Sequence, residues 1–485
     1  MNLADILEGL SAETALPGEL SIGQIRNRAE QVEAGDVYAA IRGTKTDGHE
    51  LIPIALERGA AAVVTDHDLG RKEQIIVPDT RKAWALMSAN FFGHPSRKLR
   101  MIGVTGTNGK TSVTTMLKRI LDYSGVKTGL IGTIQAEYGE HIIKTQTTTP
   151  DAFELQKLLS FMAEDGCEAV VMEVSSHGLR QERLYGCQFE IGVFTNLSQD
   201  HLDYHRDMED YYEAKRKLFD MCSLAVVNLR DGYGRRLLSE ISIPKITFSA
   251  VQPEADFSAS EITCKREGVS FRLRHQEVLG KVAFAIPGFY SVENALAAMA
   301  AGAQLGVGMK TMITALGEIP GIRGRSEVIY HSKNFTVICD YAHTPDGILN
   351  VLSTLRECAQ HRLVVLFGCG GDRDHDKRPL MAKACERYAD FIIVTSDNPR
   401  SENPEKIISE ILPGFSENAE FTVVTDREEA IAYGINHAKP GDTFVLLGKG
   451  HETYQIIREK TIPFDERRIV KQVMEQKGCP FETET

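Results

Sequence analysis

The sequence predicts an α/β protein of three domains, and three observations carry that expectation. Short apolar strands alternate with helical stretches along the chain, the pattern of mostly parallel sheets covered on both faces. One strand runs into a glycine turn and then an amphipathic helix, across residues 100–121. The length of 485 residues gives room for about three domains of roughly 150 residues each.

The elements follow in order. Residues 36–41 read as a strand ending at Arg42-Gly43, 52–58 as a helix stopped by Gly59, and 60–65 as a buried strand. His94-Pro95-Ser96-Arg97 breaks the alternation, so a first domain is expected over 1–98. Residues 100–105 form the next strand. Val113, Met116, Leu117, Ile120 and Leu121 then share one helical face, and Gly125 suits the helix stop. Further buried strands are expected at 169–172 and 191–194, each followed by polar residues. This central domain, 99–328, ends near Gly324-Arg325. A second doubly wound, Rossmann-like pattern fills 329–485, with strands at 335–340, 363–367, 391–395 and 444–447. No internal repeat or low-complexity tract interrupts it.

Composition excludes several classes. The 67 acidic and 55 basic residues leave a formal charge of −12, which disfavours sequence-independent nucleic-acid binding. Apolar residues make up 42% and charged residues 25%, ordinary for a globular chain and wrong for a disordered one. No apolar run approaches the roughly 18 residues that span a bilayer. Met1–Asp5 shows no basic segment followed by an apolar one, so no secretory leader is expected. The nine cysteines are odd in number and contain no Cys-x-x-Cys pair, which argues against a disulfide framework and fits a reducing compartment. A soluble, cytoplasmic, multidomain enzyme is the expectation.

The strongest local signal is Gly106-Thr107-Asn108-Gly109-Lys110-Thr111, with Ser112 continuing it, between the 100–105 strand and the helix. Glycines let backbone N–H groups approach phosphate oxygens, and a helix N-terminus adds partial positive charge. Lys110 is placed to reach terminal phosphates, and the Thr111 hydroxyl to bind Mg²⁺. Val104 stands where the usual spacing would put the first glycine, so the loop is a variant. Glu173 leaves a buried strand and is likewise suited to Mg²⁺. In Asn196 to His205, two histidines and two aspartates (Asp200, His201, Asp203, His205) offer a zinc-ligand alternative, or simply a polar loop with capping aspartates.

The variant loop resembles the ATP loop of the Mur ligases and of folylpolyglutamate synthases, both of which join a carboxylate to an amine with ATP. The resemblance to Mur ligases extends in order along the chain. It implies that His201 serves a second Mg²⁺ and that a carboxylated lysine occupies position 215. Spacing alone does not separate Lys215 from Arg216 and Lys217, and without the resemblance it reads as a surface lysine on a helix. Pro287-Gly288 with Asn294 resembles the family's adenine stretch, Ser291 replacing its first asparagine. Gly324-Arg325 resembles the junction arginine that reaches ATP phosphate, and Asp340 to Pro345 the motif that closes over the nucleotide, with Asp340 near the ribose.

The third domain carries Phe367 to Asp374, then Asp397-Asn398-Pro399-Arg400 and Gly448-Lys449-Gly450-His451-Glu452. Glycine turns at the carboxyl ends of parallel strands mark a ligand crevice, and two arginines with acidic groups suit a zwitterion. A solvated charged rim is the bland alternative. These motifs resemble the family members that add a diamino acid to UDP-N-acetylmuramoyl-L-alanyl-D-glutamate. The resemblance implies that Arg373, Asp397, Asn398, Pro399, Arg400, Gly448 and Glu452 hold meso-diaminopimelate. It implies that Thr148, Thr149, Ser175, Gln181, Arg183 and Asn27 contact the UDP substrate. Arg26-Asn27-Arg28 departs from the family's Asp-Ser-Arg, and Thr147 stands where some relatives have asparagine. The expected catalytic set is Lys110, Glu173, His201 and Lys215, with ATP and Mg²⁺ as cofactors, in a monomer free of nucleic acid and membrane. The rivals are a folylpolyglutamate synthase and a non-catalytic nucleotide-binding relative.

Overall fold

Buried strands dominate the computed structural model, which describes residues 1–43, 46–145, 147–265, 267–276, 278–332, 334–359 and 361–477. It divides into two compact units. The first comprises Met1–Thr105, Gly125–Gly192 and Ala214–Ala225, and the second Gly106–Ser124, Val193–Glu213 and Val226–Thr485.

In the first unit, a five-stranded sheet runs in the order Glu13–Thr14, Gln74–Ile76, Ala62–Thr65, Val37–Ala39, Ile25–Arg26. Only Glu13–Thr14 is antiparallel to its neighbour. Because successive side chains point to opposite faces, Val37, Ala39, Ala62 and Val64 pack into one core and Tyr38, Ala40 and Val63 into another. That is why these strands lack a polar face in sequence. The expected helix at 52–58 is Ile52–Glu57, and Gly59 stops it at φ 94°. The same unit holds the strand run His141–Ile143, Ala136–Tyr138, Thr128–Ile131, Ala169–Glu173, Arg100–Thr105. The last two pairings are parallel, in a register that sets Glu173 beside Val104.

In the second unit, the helix after the glycine turn is Lys110–Tyr123, and all five residues of the expected apolar face are buried. A six-stranded sheet follows the order Glu327–His331, Phe335–Asp340, Asp442–Leu447, Leu363–Phe367, Phe391–Val394, Phe421–Val423. Its strands are parallel except for the first. Two cores cover its faces, Val337, Leu366 and Leu446 in one and Ile338, Val365 and Val445 in the other. The carboxyl ends Asp340, Phe367, Val394 and Leu447 therefore come to one edge.

Some elements went unread in sequence. Phe257–Lys265, Gly268–His275 and Val278–Phe284 form an antiparallel meander. Val269, Phe271 and Leu273 alternate with polar residues there and point to the buried side, a period-two signal. Tyr454–Ile457 and Lys460–Pro463 make a hairpin beyond the last motif. Among the described residues, no helix is long and apolar enough to cross a membrane.

Candidate active site

The glycine turn forms because Gly106 and Gly109 adopt φ 144° and 88°. A side chain at Gly106 would collide with the Thr195 hydroxyl, and one at Gly109 with the Asn294 side chain. Lys110 starts the helix and folds its ammonium over the loop, donating to the carbonyls of Gly106 and Thr107 at 2.9 Å each. The Asn196 side chain accepts from the Asn108 N–H at 3.0 Å, and the Thr195 hydroxyl donates to the Asn108 carbonyl at 2.6 Å.

Beside this loop lies a cleft of about 330 Å³ lined by Gly109, Ser112, Asp231, Phe289, Asn294 and Asp340, among others. Arg325 spans it. Its guanidinium donates to the Thr111 hydroxyl at 3.0 Å and lies 4.9 Å from the Tyr341 ring centre, while its Nε is buried without a hydrogen-bond partner. Asp340 ends its strand and accepts from the N–H groups of Ser326 (2.6 Å) and Ala342 (2.7 Å). Burial raises its carboxyl above the usual range, against the opposing pull of Arg325. Ser291 spends its hydroxyl on the Pro287 carbonyl at 2.8 Å. Glu293, which sequence reasoning passed over, also lines the cleft. One of its oxygens is buried without a partner, and burial pushes its carboxyl up to about 7. Asp346 likewise went unread and accepts from Asn108 at 3.3 Å.

The expected amino-acid residues gather in a second cavity, of about 120 Å³, at the carboxyl edge of the six-stranded sheet. Its lining includes Arg373, Asp397, Asn398, Arg400, Gly448 and Glu452, together with His201. Pro399 lies between two of them in the chain, and its carbonyl leaves no room for a side chain at Gly371. Gly448 takes φ 107°, and a Cβ there would meet the Asp397 carboxylate. Arg400 donates to the Gly371 carbonyl at 2.8 Å. Burial first, then repulsion from Arg373, lowers its basicity, which Asp397 and Glu452 support.

Lys449 is fully buried and joins the acidic groups. It donates to Asn398 at 3.0 Å and to Glu452 at 3.3 Å, and lies 3.6 Å from Asp397. Burial opposes the Asp397 charge, but Lys449, Arg427 and Arg400 hold its carboxyl below the usual range. Glu452 moves the other way, raised by burial and by Asp397. In the sequence Lys449 stands out only as part of a motif, because a lysine gives no local sign of burial.

His201 borders this cavity in left-handed backbone, φ 56°. Its buried neighbour Asp200 pairs with Lys377 at 3.1 Å and lies 3.7 Å from His343. Burial works against that charge, yet His201 and Lys377 hold the carboxyl well below the usual range. His205 turns instead to Asp210 at 3.4 Å. Among the described residues, the 200–205 histidines and aspartates do not converge as a three-ligand set.

The first unit holds the remaining expected residues. Glu173 accepts from the Thr133 N–H and hydroxyl at 2.9 Å each, and the Thr133 hydroxyl oxygen lies 3.0 Å from the Thr148 hydroxyl. Thr149 is buried. Its hydroxyl donates to the Glu173 carbonyl at 3.0 Å and accepts from the Ser175 N–H at 2.9 Å. Arg183 grips Gln181 at 2.7 Å and the Thr149 carbonyl at 2.5 Å, and reaches Thr147 at 3.3 Å. Asn27, Asp151 and Arg183 border a cleft with Trp84. Lys215 is 1% exposed, so the surface-lysine alternative does not hold.

These features define a class. Family models for the Mur ligase family catalytic domain, the Mur ligase middle domain and the Mur ligase glutamate ligase domain match residues 21–91, 104–302 and 324–450. The chain belongs to the Mur ligase family, whose members are ATP-dependent ligases.

Among its relatives, a UDP-N-acetylmuramoyl-L-alanyl-D-glutamate--2,6-diaminopimelate ligase of Caldanaerobacter subterraneus subsp. tengcongensis is 44% identical, covering 98% of this chain and 99% of that one. A solved structure of a ligase with the same name superposes with a TM-score of 0.71 at 32% identity, over 99% of this chain and 100% of that one. The MurF ligase of Thermotoga maritima, solved in complex with ADP, shares the fold at 17% identity and a TM-score of 0.64, over 94% of this chain and 97% of that one.

Proposed function

We propose that the chain joins meso-2,6-diaminopimelate to UDP-N-acetylmuramoyl-L-alanyl-D-glutamate with ATP, a cytoplasmic step of peptidoglycan precursor synthesis. The observation that carries this reading is the cavity at the carboxyl edge of the six-stranded sheet, where Arg373 and Arg400 stand beside Asp397 and Glu452. A zwitterion with two amino-acid head groups presents the complementary charges. The name of the 44% identical relative supports the same substrates. We assign domains over 1–98, 99–328 and 329–485, in an enzyme that works as a monomer.

A carboxylate is a poor acylating agent, so it must first gain a leaving group. The D-glutamate side-chain carboxylate attacks the γ-phosphorus of ATP, giving an acyl phosphate and ADP. The uncharged amine of diaminopimelate then attacks the acyl carbon, the C–O bond to phosphate breaks, and inorganic phosphate and a proton leave. No protein nucleophile is needed. Lys110 and the N–H groups of 106–112 offset charge on the phosphates, with Arg325 beside them. Asn294 orients adenine and Asp340 the ribose. Asp397, Asn398, Glu452 and the arginines hold diaminopimelate, which leaves positioning as the main catalytic work.

Thr111, Glu173, His201 and a carboxylated Lys215 would hold Mg²⁺. The oxygen-rich donor set suits a hard cation, Thr133 already orients Glu173, and the metal supplies charge neutralisation on phosphate oxygens. Thr148, Thr149, Ser175, Gln181, Arg183 and Asn27 take the UDP substrate.

The test is a panel of diamino acids supplied with UDP-N-acetylmuramoyl-L-alanyl-D-glutamate and ATP, read by phosphate release and product mass. meso-Diaminopimelate should give the highest kcat/KM. An enzyme that turns over L-lysine equally well would overturn the amino-acid assignment.

A further inference from the structure

A cluster outside the ligase site lies in the first hundred residues. His49 sits in the 3-10 turn Gly48–Leu51, which Asp47 caps by accepting from the His49 N–H at 3.0 Å. The same Asp47 oxygen lies 2.6 Å from His49 Nδ1. A carboxylate at that distance needs a proton between, so Nδ1 carries the hydrogen and a neutral ring presents a bare lone pair at Nε2.

That Nε2 is buried without a hydrogen-bond partner, on a side chain only 9% exposed. It faces Asp66 Oδ1 at 3.3 Å. Two acceptors face to face repel unless a cation lies between them. His67 lies beside the same Asp66 oxygen, its Nδ1 2.6 Å away, so by the same argument it carries a proton there and, at 49% exposed, turns its ring to offer a lone pair to a metal. Ligand atoms of His49, Asp66 and His67 all fall within 4.8 Å of one another.

We propose that His49, Asp66 and His67 form a binding site for a divalent transition-metal ion of the zinc class. Two imidazoles and one carboxylate suit Zn²⁺ rather than Mg²⁺ or Ca²⁺. Ligand bonds of about 2.0–2.1 Å in tetrahedral geometry place neighbouring donors roughly 3.3–3.4 Å apart, the spacing that His49 and Asp66 already have. Asp47 plays the outer-shell part, fixing the tautomer and orientation of a ligating histidine. Water fills the fourth position. The opposing charge is Arg42, whose guanidinium lies 3.3 Å from Asp66 and 3.7 Å from Asp47 on a side chain 62% exposed, so it is free to swing into solvent as the metal enters. The bound ion would tie the turn Gly48–Leu51 to the end of the strand Ala62–Thr65.

The test uses the full chain, stripped with a chelator and held in excess Mg²⁺ to occupy hard oxygen sites. Titration with Co²⁺ should give the visible absorption of a four-coordinate site at one equivalent, displaced by Zn²⁺. His67→Ala, at a half-exposed ring, should abolish it and remain folded even if His49→Ala does not. Asp47→Asn should weaken binding about 10- to 100-fold. An unchanged spectrum and affinity in His67→Ala would overturn the site. So would a proton found by NMR on His49 Nε2 in stoichiometric Zn²⁺, since an imidazolium would then be the cation between the two acceptors.

Discussion

Arg400 joins backbone constraint to its proposed part in recognising diaminopimelate. It adopts φ 51° and donates its N–H to the Ile456 carbonyl at 3.0 Å, which aims the guanidinium along the cavity wall. meso-Diaminopimelate differs from lysine by a second head group, hence a carboxylate whose desolvation a guanidinium can offset. Losing one charge-assisted bond costs about 1.5–3 kcal/mol, or roughly ten- to a hundredfold. Arg400→Ala should lose most of the preference for diaminopimelate over L-lysine, with the KM for ATP little changed; an unaltered ratio of kcat/KM would remove Arg400 from that role. Glu293 makes a different prediction. Its folded carboxyl holds a proton up to about 7, against a usual value of 4.5. Between those pH values the folded state binds more protons than the unfolded chain, so stability falls as pH rises through that window. Glu293→Gln should abolish the fall and be more stable at pH 8 by up to about 3 kcal/mol. Denaturant midpoints of both proteins at pH 5 and 8 check this, and parallel shifts would refute it.

At the scale of elements, the crevice depends on what lies beneath its strand ends. Arg427 and Glu466 form a fully buried pair at 2.7 Å, and Arg427 also donates to the carbonyls of Leu447 (2.7 Å) and Ser396 (3.3 Å). Those carbonyls immediately precede Gly448 and Asp397, so the pair ties both motifs to the helix Glu466–Gln476. Removing one partner leaves a buried charge uncompensated, which costs about 3–5 kcal/mol. Glu466→Ala should be destabilised by that amount in equilibrium unfolding and bind diaminopimelate more weakly; a loss under about 1 kcal/mol would show the pair is solvated on opening. Elements with strong periodicity were the legible ones. The strand Arg100–Thr105 and the helix Lys110–Tyr123 follow directly from apolar runs and a helical face. The meander over 257–284 was missed because its half-exposed alternation is weaker than a buried run, and the hairpin Tyr454–Ile457 with Lys460–Pro463 because its strands are largely exposed.

At the scale of the whole molecule, the proposed reaction brings a carboxylate and the ATP phosphates together, and that negative charge calls for a divalent cation. Chelation of divalent metal should therefore stop product formation, and added Mg²⁺ should restore it; turnover that persists in metal-free buffer would discard the metal assignment. The sequence by itself determined the α/β class and the buried strands that run into the motifs, because apolar periodicity and glycine turns are local properties of neighbouring residues. It also located the glycine turn over 106–109 between its strand and helix, since turn and helix start are contiguous. Only the tertiary structure decided that Lys215 and Lys449 are buried, that Lys377 pairs with Asp200, and that one carboxylate oxygen of Glu293 is buried beside a cleft without a hydrogen bond. Burial and pairing depend on residues distant in the chain, and a lysine or glutamate carries no local mark of whether water or protein will surround it.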